Sequence, residues 1–392
     1  MYYCLFQKSK EMKTKISIVI GLGFGDEGKG NVVNALSDEE TLVVRFNGGH
    51  QAGHTVVHKE EKHVFSSIGS GALKGAHTYL TKYVVVYPTA MVNEIKTLGF
   101  TPEIYINADC PITTPYEVIY NKAYESVYHH GSVGVGVGAT IHREEQHYHL
   151  RMRDLYYPIV MEEKLRKIRA HYKNVAFVRD NLPSQSEISK FIKDIERMKR
   201  KVIIVNSYED MKSYPHIIFE GAQGIMLDEI CGFYPNVTRG RTTDKNSVEI
   251  LQTWVRSNQI TLKDKINLYY VTRAYATRHG NGFLPNEDKI PEKVFRRYIR
   301  EYMDETNVSH KYQGKFRKTL LDLDTLMYAA NCSVLKDIVV DKKLVITCMD
   351  QIRDNNIKII RDSKITSISP KNLARELGIF DVIISNSPEL KL

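Results

Sequence analysis

The sequence predicts an α/β fold: a mostly parallel, doubly wound central sheet with helices on both faces and inserted loops. Three observations predict it. Short apolar, strand-type runs recur along the chain, at 16–20, 41–46, 83–87, 103–106, 202–205, 216–219, 267–271, 343–347, 357–360 and 381–384. Segments of helical pattern lie between them, among them 90–98, 117–126, 188–200, 246–257 and 370–377. That alternation builds strand–helix–strand units, whose strands pair in parallel. The third observation is a glycine loop, Gly21 to Gly30, between the first strand and a helix-compatible segment at 31–36. In a wound sheet such a loop lies at the carboxyl ends of the strands.

Taken in order, the run at 16–20 leads into Gly21–Leu22–Gly23–Phe24–Gly25–Asp26–Glu27–Gly28–Lys29–Gly30. Strand, glycine loop, lysine, helix is how backbone N–H groups are aimed at a phosphate. From Gly23 the spacing fits the nucleotide P-loop, except that Gly30 stands where a magnesium-binding Ser or Thr normally follows the lysine. A metal here needs another ligand, and Asp26 is the carboxylate in the loop. The strand at 41–46 runs into Asn47–Gly48–Gly49–His50–Gln51–Ala52–Gly53–His54–Thr55. The glycine-rich patch from Gly131 to Thr140 reads as a loop whose free N–H groups close over an anion, with a plain hairpin as the bland alternative. The strand at 216–219 opens Phe219–Glu220–Gly221–Ala222–Gln223–Gly224, followed by Leu227–Asp228 and Tyr234–Pro235–Asn236–Val237–Thr238. Chain position 83–87 is expected to be a strand, and 357–360 a strand of the same sheet.

Composition narrows the class. The chain has 392 residues, 42% of them hydrophobic, which is ordinary for a globular protein. No apolar run reaches the roughly 18 residues of a membrane span. The net charge of +9 is spread along the chain. The basic stretch at 190–201 reads as a solvated helix face, so nucleic acid is not an expected partner. Five cysteines, Cys4, Cys110, Cys231, Cys332 and Cys348, show no CxxC spacing and read as reduced thiols of a cytoplasmic protein. The apolar patch near the start is too short for a secretory signal, and Met12 is an alternative initiator. Residues 1–12 are expected to be a disordered extension and 13–392 a single domain.

Together the three motifs resemble the adenylosuccinate synthetase family, which reads close to GDEGKG, GGxNAGHT and FEGAQGxLLD…YPxVT. The resemblance runs from about Ile16 to Glu389. It implies a GTP-dependent ligase, a homodimer, that joins IMP to L-aspartate through a 6-phosphoryl-IMP intermediate, with Mg2+. Asp26 would be the base that takes the proton of purine ring nitrogen 1 and a metal ligand, with the Gly53 carbonyl as a second. Lys29 would neutralise phosphate, and His54 would act as the acid on the transferring group. GTP would be held by Gly25, Glu27, Gly28, Lys29, Gly30, Gly53 and Thr55, with Asp350, Ser385 and Ser387 around the guanine. IMP would meet Asp26, Lys29, Gln51, His54, Ser132, Gln223 and Thr238, with Ser132 and Thr238 at its 5′-phosphate.

The chain departs from the family at four places. The aspartate loop, TTGRxRRxGWxD in the family, keeps of its arginine cluster only Arg317, beside Lys315 and Lys318. Arg317 is the candidate ligand for aspartate, with Asn307 and Lys318 assisting. His147 aligns with an arginine that reaches the neighbouring subunit's IMP, and Arg143 or Arg151 are its possible substitutes. The guanine-side TKLD becomes Thr347–Cys348–Met349–Asp350. In TRxGxGPFPTE, here from Thr277 to Glu287, His279 stands where the family has an apolar residue against the ribose. A divergent branch of the family acts on dGMP and has serine at the position of Asp26. The presence of Asp26 favours IMP. The alternatives are the dGMP-using activity with ATP or GTP, and a nucleotide-binding regulatory protein without turnover.

Overall fold

The computed structural model describes residues 10–262, 266–300, 312–335 and 340–391. Nine strands form its central sheet: β1 Lys15–Gly21, β2 Thr41–Arg45, β3 His77–Leu80, β4 Ile104–Asn107, β5 Ile203–Val205, β6 His216–Glu220, β7 Asn267–Arg273, β8 Asp341–Thr347 and β9 Asp381–Ile384. They lie in the order β9-β8-β7-β1-β6-β2-β3-β4-β5. Every neighbouring pair is parallel. From β1 the chain winds outward through β2 to β5 and returns to insert β6 between β1 and β2. It then winds the other way through β7 to β9. The glycine loop at the carboxyl end of β1 therefore lies where the winding reverses, the usual ligand crevice of an open parallel sheet.

The strands read as continuous apolar runs because both their faces are covered. Ile16, Ile18 and Ile20 of β1 pack in one core with Ile250 and Trp254 of helix α7 (Lys245–Asn258, named in chain order after those below). Val19, between them, faces the opposite core with Val32 and Val33 of α1, Lys29–Leu36. Alternation along one strand thus feeds helices on two faces, which is the doubly wound arrangement the sequence predicts. A third core gathers Leu80 of β3 and Ile104 and Ile106 of β4 with α2 (Pro88–Leu98), α3 (Pro115–Tyr128), α5 (Pro158–Lys173) and α6 (Gln185–Lys199).

Several local expectations differ. Residues 83–87 form no strand. Val84 N–H closes a turn on Thr81, and Val85 and Val86 make only single bridges, to Gly49 and Ile112, before Pro88 opens α2. The sheet position is taken by β3, whose four residues begin with polar His77 and Thr78. The run at 357–360 joins a separate sheet of Leu321–Asp322, Ile357–Arg361 and Lys364–Ile368. The second half of the glycine-rich patch is helical, α4 Val137–Glu145, started by Gly136 at φ 94°. Of the expected extension, residues 10–12 form a short strand paired in parallel with Ile260–Leu262. Residues 1–9 lie outside the described residues.

Candidate active site

The three motifs meet at the carboxyl ends of three neighbouring strands. β6 lies between β1 and β2, with Glu220 in register with Val19 on one side and Arg45 on the other. Asn47 ties the second motif to the third: its Nδ2 donates to the carbonyls of Ala222 (3.1 Å) and Arg241 (2.9 Å), and its Oδ1 accepts from Ala222 N–H (2.7 Å). Met226 N–H donates to the Gly23 carbonyl at 3.0 Å, tying the third motif to the glycine loop. A side chain at Gly224 would collide with that carbonyl and with Glu27, so only glycine allows this approach.

The glycine loop is organised by its own glutamate. Buried Glu27 accepts from Gly23 N–H (3.0 Å) and Gly25 N–H (2.9 Å), and its other oxygen receives Lys29 Nζ at 2.5 Å. The chain reverses at Gly25 (φ 92°), Asp26 (φ 59°) and Gly28 (φ 92°), and α1 begins at Lys29. Asp26 stands out of the loop with 29% of its side chain exposed and Oδ2 3.2 Å from His279 Nε2. Burial works to raise its pKa. The His279 hydrogen bond and the charges of Arg273, His279 and Lys29 outweigh it and hold the carboxyl below its usual value.

His54 is set from the opposite side. Its Nδ1 lies 2.5 Å from Glu220 Oε1. Glu220 is wholly buried and also accepts from Ser70, through the hydroxyl and, at 3.0 Å, the backbone N–H. Burial alone would raise Glu220, but Arg45, His54 and Ser70 pull it down to about 2. An ionised carboxylate only accepts, so Nδ1 carries the hydrogen. Burial lowers the His54 pKa more than Glu220 lifts it, with Arg45 and Lys29 adding repulsion. The imidazole is therefore neutral in the ligand-free chain, and Nε2 has no hydrogen-bond partner among the described residues. His54 packs against the glycine loop, where a Cβ on Gly30 would stand 2.8 Å from the His54 Cβ, and the charge of Lys29 bears on both Asp26 and His54.

The other residues expected at the site lie on several segments. Gln223, at φ 63°, sets its Oε1 beside Gly25, and Gln51 folds over Gly48 and Gly49. The loop at 130–136 reaches the segment before Thr238: His130 Nε2 lies 3.3 Å from the Val237 carbonyl, and Asn236 Nδ2 donates to the His130 carbonyl at 2.9 Å. Three N–H groups of this loop are already engaged, Gly131 (2.8 Å) and Ser132 (3.1 Å) donating to buried Glu125 and Gly136 (2.9 Å) to Asn121 Oδ1, while Ser132 Oγ accepts from Asn121 at 2.9 Å. Where guanine is expected, Thr347 Oγ1 donates to the Glu27 carbonyl (2.8 Å), and Met349 N–H to the Ser385 carbonyl (3.1 Å), which ties the end of β8 to the glycine loop and the segment before Asp350 to Ser385. Ser387 Oγ donates to the Glu389 carbonyl. Thr55 follows His54 on the strand His54–His58.

The basic residues are placed differently from expectation. The Arg317 fork is engaged internally: Nε donates to the Gly280 carbonyl (2.9 Å), Nη2 to that of Gly282 (2.7 Å), and Nη1 to Glu287. It binds the 280–287 loop, and gripping aspartate requires exchanging these partners. Lys318 Nζ stands 5.3 Å from the Phe316 ring centre. Asn307 lies outside the described residues. Arg143 is fully buried on Glu117, Glu144 and the carbonyls of Ile112 and Tyr148, so it does not substitute for a borrowed arginine. His147 is exposed just beyond α4, and Arg151 is tied to Asp109 and Glu144.

Sequence reasoning passed over Glu220, Arg45, Ser70, Arg273 and Phe316. Glu220 and Arg45 were legible as charges inside otherwise apolar strands, a position that demands partners. Arg273, the buried last residue of apolar β7, carried the same signal, and Phe316 carried none. Among the described residues no group of three His, Cys, Asp or Glu side chains is set to hold a metal. The residues expected to hold Mg2+ would offer it the Asp26 carboxylate and the carbonyl of exposed Gly53. Two hard oxygens suit an ion that keeps waters and binds substrate phosphates.

A wholly parallel sheet with a glycine loop at its switch point defines the class, an α/β protein of nucleotide-binding type. The family model for adenylosuccinate synthetase matches residues 18–373, and the chain belongs to that family. It is 32% identical to the adenylosuccinate synthetase of Thermodesulfovibrio yellowstonii over 71% of this chain and 67% of that one. Its fold is similar to that of the fully ligated adenylosuccinate synthetase of Plasmodium falciparum, with TM-score 0.75 and 18% identity over 95% of this chain and 98% of that one. It is also similar to the succinoaminodeoxyadenylate synthetase of cyanophage S-2L, bound to dGMP and dATP, with TM-score 0.61 and 14% identity over 96% and 93% of the two chains.

Proposed function

We propose that this protein is a GTP-dependent ligase that joins IMP to L-aspartate, forming adenylosuccinate. The observation that carries this is the approach of His54 to the glycine loop that bears Asp26 and Lys29: a Cβ on Gly30, next to Lys29, would stand 2.8 Å from the His54 Cβ. A binding module needs neither the carboxylate nor the histidine. Asp26, ionised at neutral pH, accepts the proton of purine ring nitrogen 1, so charge builds on the 6-oxygen. That oxygen attacks the γ-phosphorus of GTP, the bond to the β-phosphate oxygen breaks, and GDP leaves. The aspartate amine then attacks carbon 6 and phosphate departs. Lys29 exchanges Glu27 for the nucleotide phosphates and neutralises them. Polyanion binding beside His54 raises its proton affinity, and with Glu220 fixed as its counter-charge the imidazolium offers Nε2–H to the transferring group. A magnesium ion held by Asp26 and Gly53 would supply further charge neutralisation.

The protein is further proposed to be a cytoplasmic homodimer, with His147 the group borrowed by the partner's site. The test is GDP release from GTP with IMP, with and without aspartate. Aspartate-dependent turnover is expected. Tight nucleotide binding without turnover contradicts the ligase and supports the regulatory reading. The second enzymatic reading, with dGMP as acceptor, is favoured by the reduced arginine cluster of the aspartate loop and opposed by Asp26.

A further inference from the structure

We propose that His279 is a positioning residue that fixes the Asp26 carboxylate, so that one oxygen is reserved for the purine ring nitrogen. The proposal rests on the ligase reading above. His279 Nε2 is 3.2 Å from Asp26 Oδ2, and the histidine side chain is only 13% exposed. It lies at the end of the strand Ala276–His279, in register with Phe316 on the antiparallel strand Phe316–Thr319. The two rings are packed with centres 4.6 Å apart and planes tilted by 39°. The preceding residue, Arg278, is buried and donates to the carbonyls of Asn281, Phe283 and Asn236, which anchors the strand end. The imidazole is thus held from behind and presents one nitrogen to Asp26.

Asp26 needs such a holder. It sits in a left-handed turn, φ 59°, in a loop whose other polar groups are turned inward on Glu27. Lys29 does not orient it, because its ammonium is engaged with Glu27. Arg273 grips the backbone, its Nε donating to the Asp26 carbonyl, and its guanidinium lies 5.9 Å from the same Phe316 ring. One wall, built on Phe316, therefore holds both the main chain and the side chain of Asp26. A carboxylate left alone rotates about its last bond and offers either oxygen. With Oδ2 tied to His279, Oδ1 is the acceptor presented to the purine. IMP brings one ring N–H to that edge, whereas a guanine-type base brings a 2-amino donor as well. The second donor then meets an oxygen already engaged. His279 is by this account a specificity-determining residue as well as a positioning one.

The test compares His279→Val with His279→Gln, whose amide keeps a donor. His279→Val is expected to lower kcat with IMP by about 10- to 100-fold, the scale of a misplaced reacting group. KM for IMP and GTP should stay nearly constant, His279→Gln should recover most of the rate, and the preference for IMP over dGMP should narrow in His279→Val. Equal rates in the two variants, or a rise in KM for IMP with kcat retained, overturn the proposal. A wild-type chain that turns over dGMP and not IMP defeats the IMP reading, and the same comparison of the two variants is then made on dGMP. A crystal structure of His279→Val gives a readout independent of turnover. Loss of the single Asp26 carboxylate orientation supports the proposal, and an unchanged orientation contradicts it.

Discussion

Glu220 is a charge that never meets solvent, and the reason it stays charged is also the reason it matters. Arg45 beside it, His54 at 2.5 Å and Ser70 replace the water it lost and hold its pKa near 2. Its depressed pKa has the usual carboxylate sign: the stabilisation is present above the ordinary value of 4.5 and is lost as pH falls towards about 2. Glu220→Gln keeps the shape but leaves Nδ1 of His54 without an ionised acceptor. Turnover is expected to fall on the order of 100-fold through mis-set imidazole geometry, with KM for GTP little changed. Steady-state kinetics decide it; a rise in KM with kcat intact sinks the orienting role. At this scale the sequence motifs named Asp26, Lys29 and His54, because each stands inside a long glycine-bearing pattern. They did not name the residues that hold them. Arg273 comes from the end of β7 and Phe316 from a distant strand, and neither has any local pattern that marks a contact with Asp26.

Two loops are held here by buried carboxylates, one after β1 and one between α3 and α4. Glu27 holds the glycine loop, and Glu125, only 2% exposed, holds the start of the 130–136 loop through the N–H groups of Gly131 and Ser132. Removing Glu125 leaves two donors without their acceptor and loosens the segment proposed for the 5′-phosphate. Glu125→Ala should raise KM for IMP while leaving KM for GTP nearly unchanged. The unpaired groups and lost contacts should cost about 1–3 kcal/mol of stability, read by denaturant titration. Unchanged KM for IMP would show that this loop does not carry the phosphate. The elements were legible where periodicity and burial agree. β1 is apolar because both its faces are covered, whereas 83–87 is equally apolar but lies under the second motif as a bridge-forming turn. β3 was missed because four residues beginning His77–Thr78 give too little alternation, and α4 because glycines hid a helix that starts at Gly136.

The molecule as a whole depends on neutral buried histidines. Burial takes His216, which lies 3.0 Å from Ser17 of the adjoining strand, and His50, 2.9 Å from the Val135 carbonyl, from 6.5 down to about 4. In the unfolded chain each takes up a proton near 6.5. The folded protein binds fewer protons between those values, so its stability rises with pH in that window. The melting temperature is expected to fall as pH drops from 6.5 towards 4, and His216→Gln to weaken that slope. A slope unchanged in the variant contradicts the assignment. No helix among the described residues is long and apolar enough to cross a membrane. Strand order, which decides that the ends of β1, β2 and β6 meet at one crevice, was not readable from the sequence, because nothing local records that β6 inserts between β1 and β2.

On the proposed reading, Asp26, held by His279 in the loop after the first strand, activates IMP. A 2-amino group at that edge leaves a buried donor poorly served, at a cost of about 1–3 kcal/mol, or roughly 5- to 150-fold in rate. The direct measurement is side-by-side turnover of IMP and dGMP with aspartate, each with GTP and with ATP. Faster product formation from IMP with GTP is the predicted result. Faster product formation from dGMP would contradict the account and assign the chain to the other acceptor.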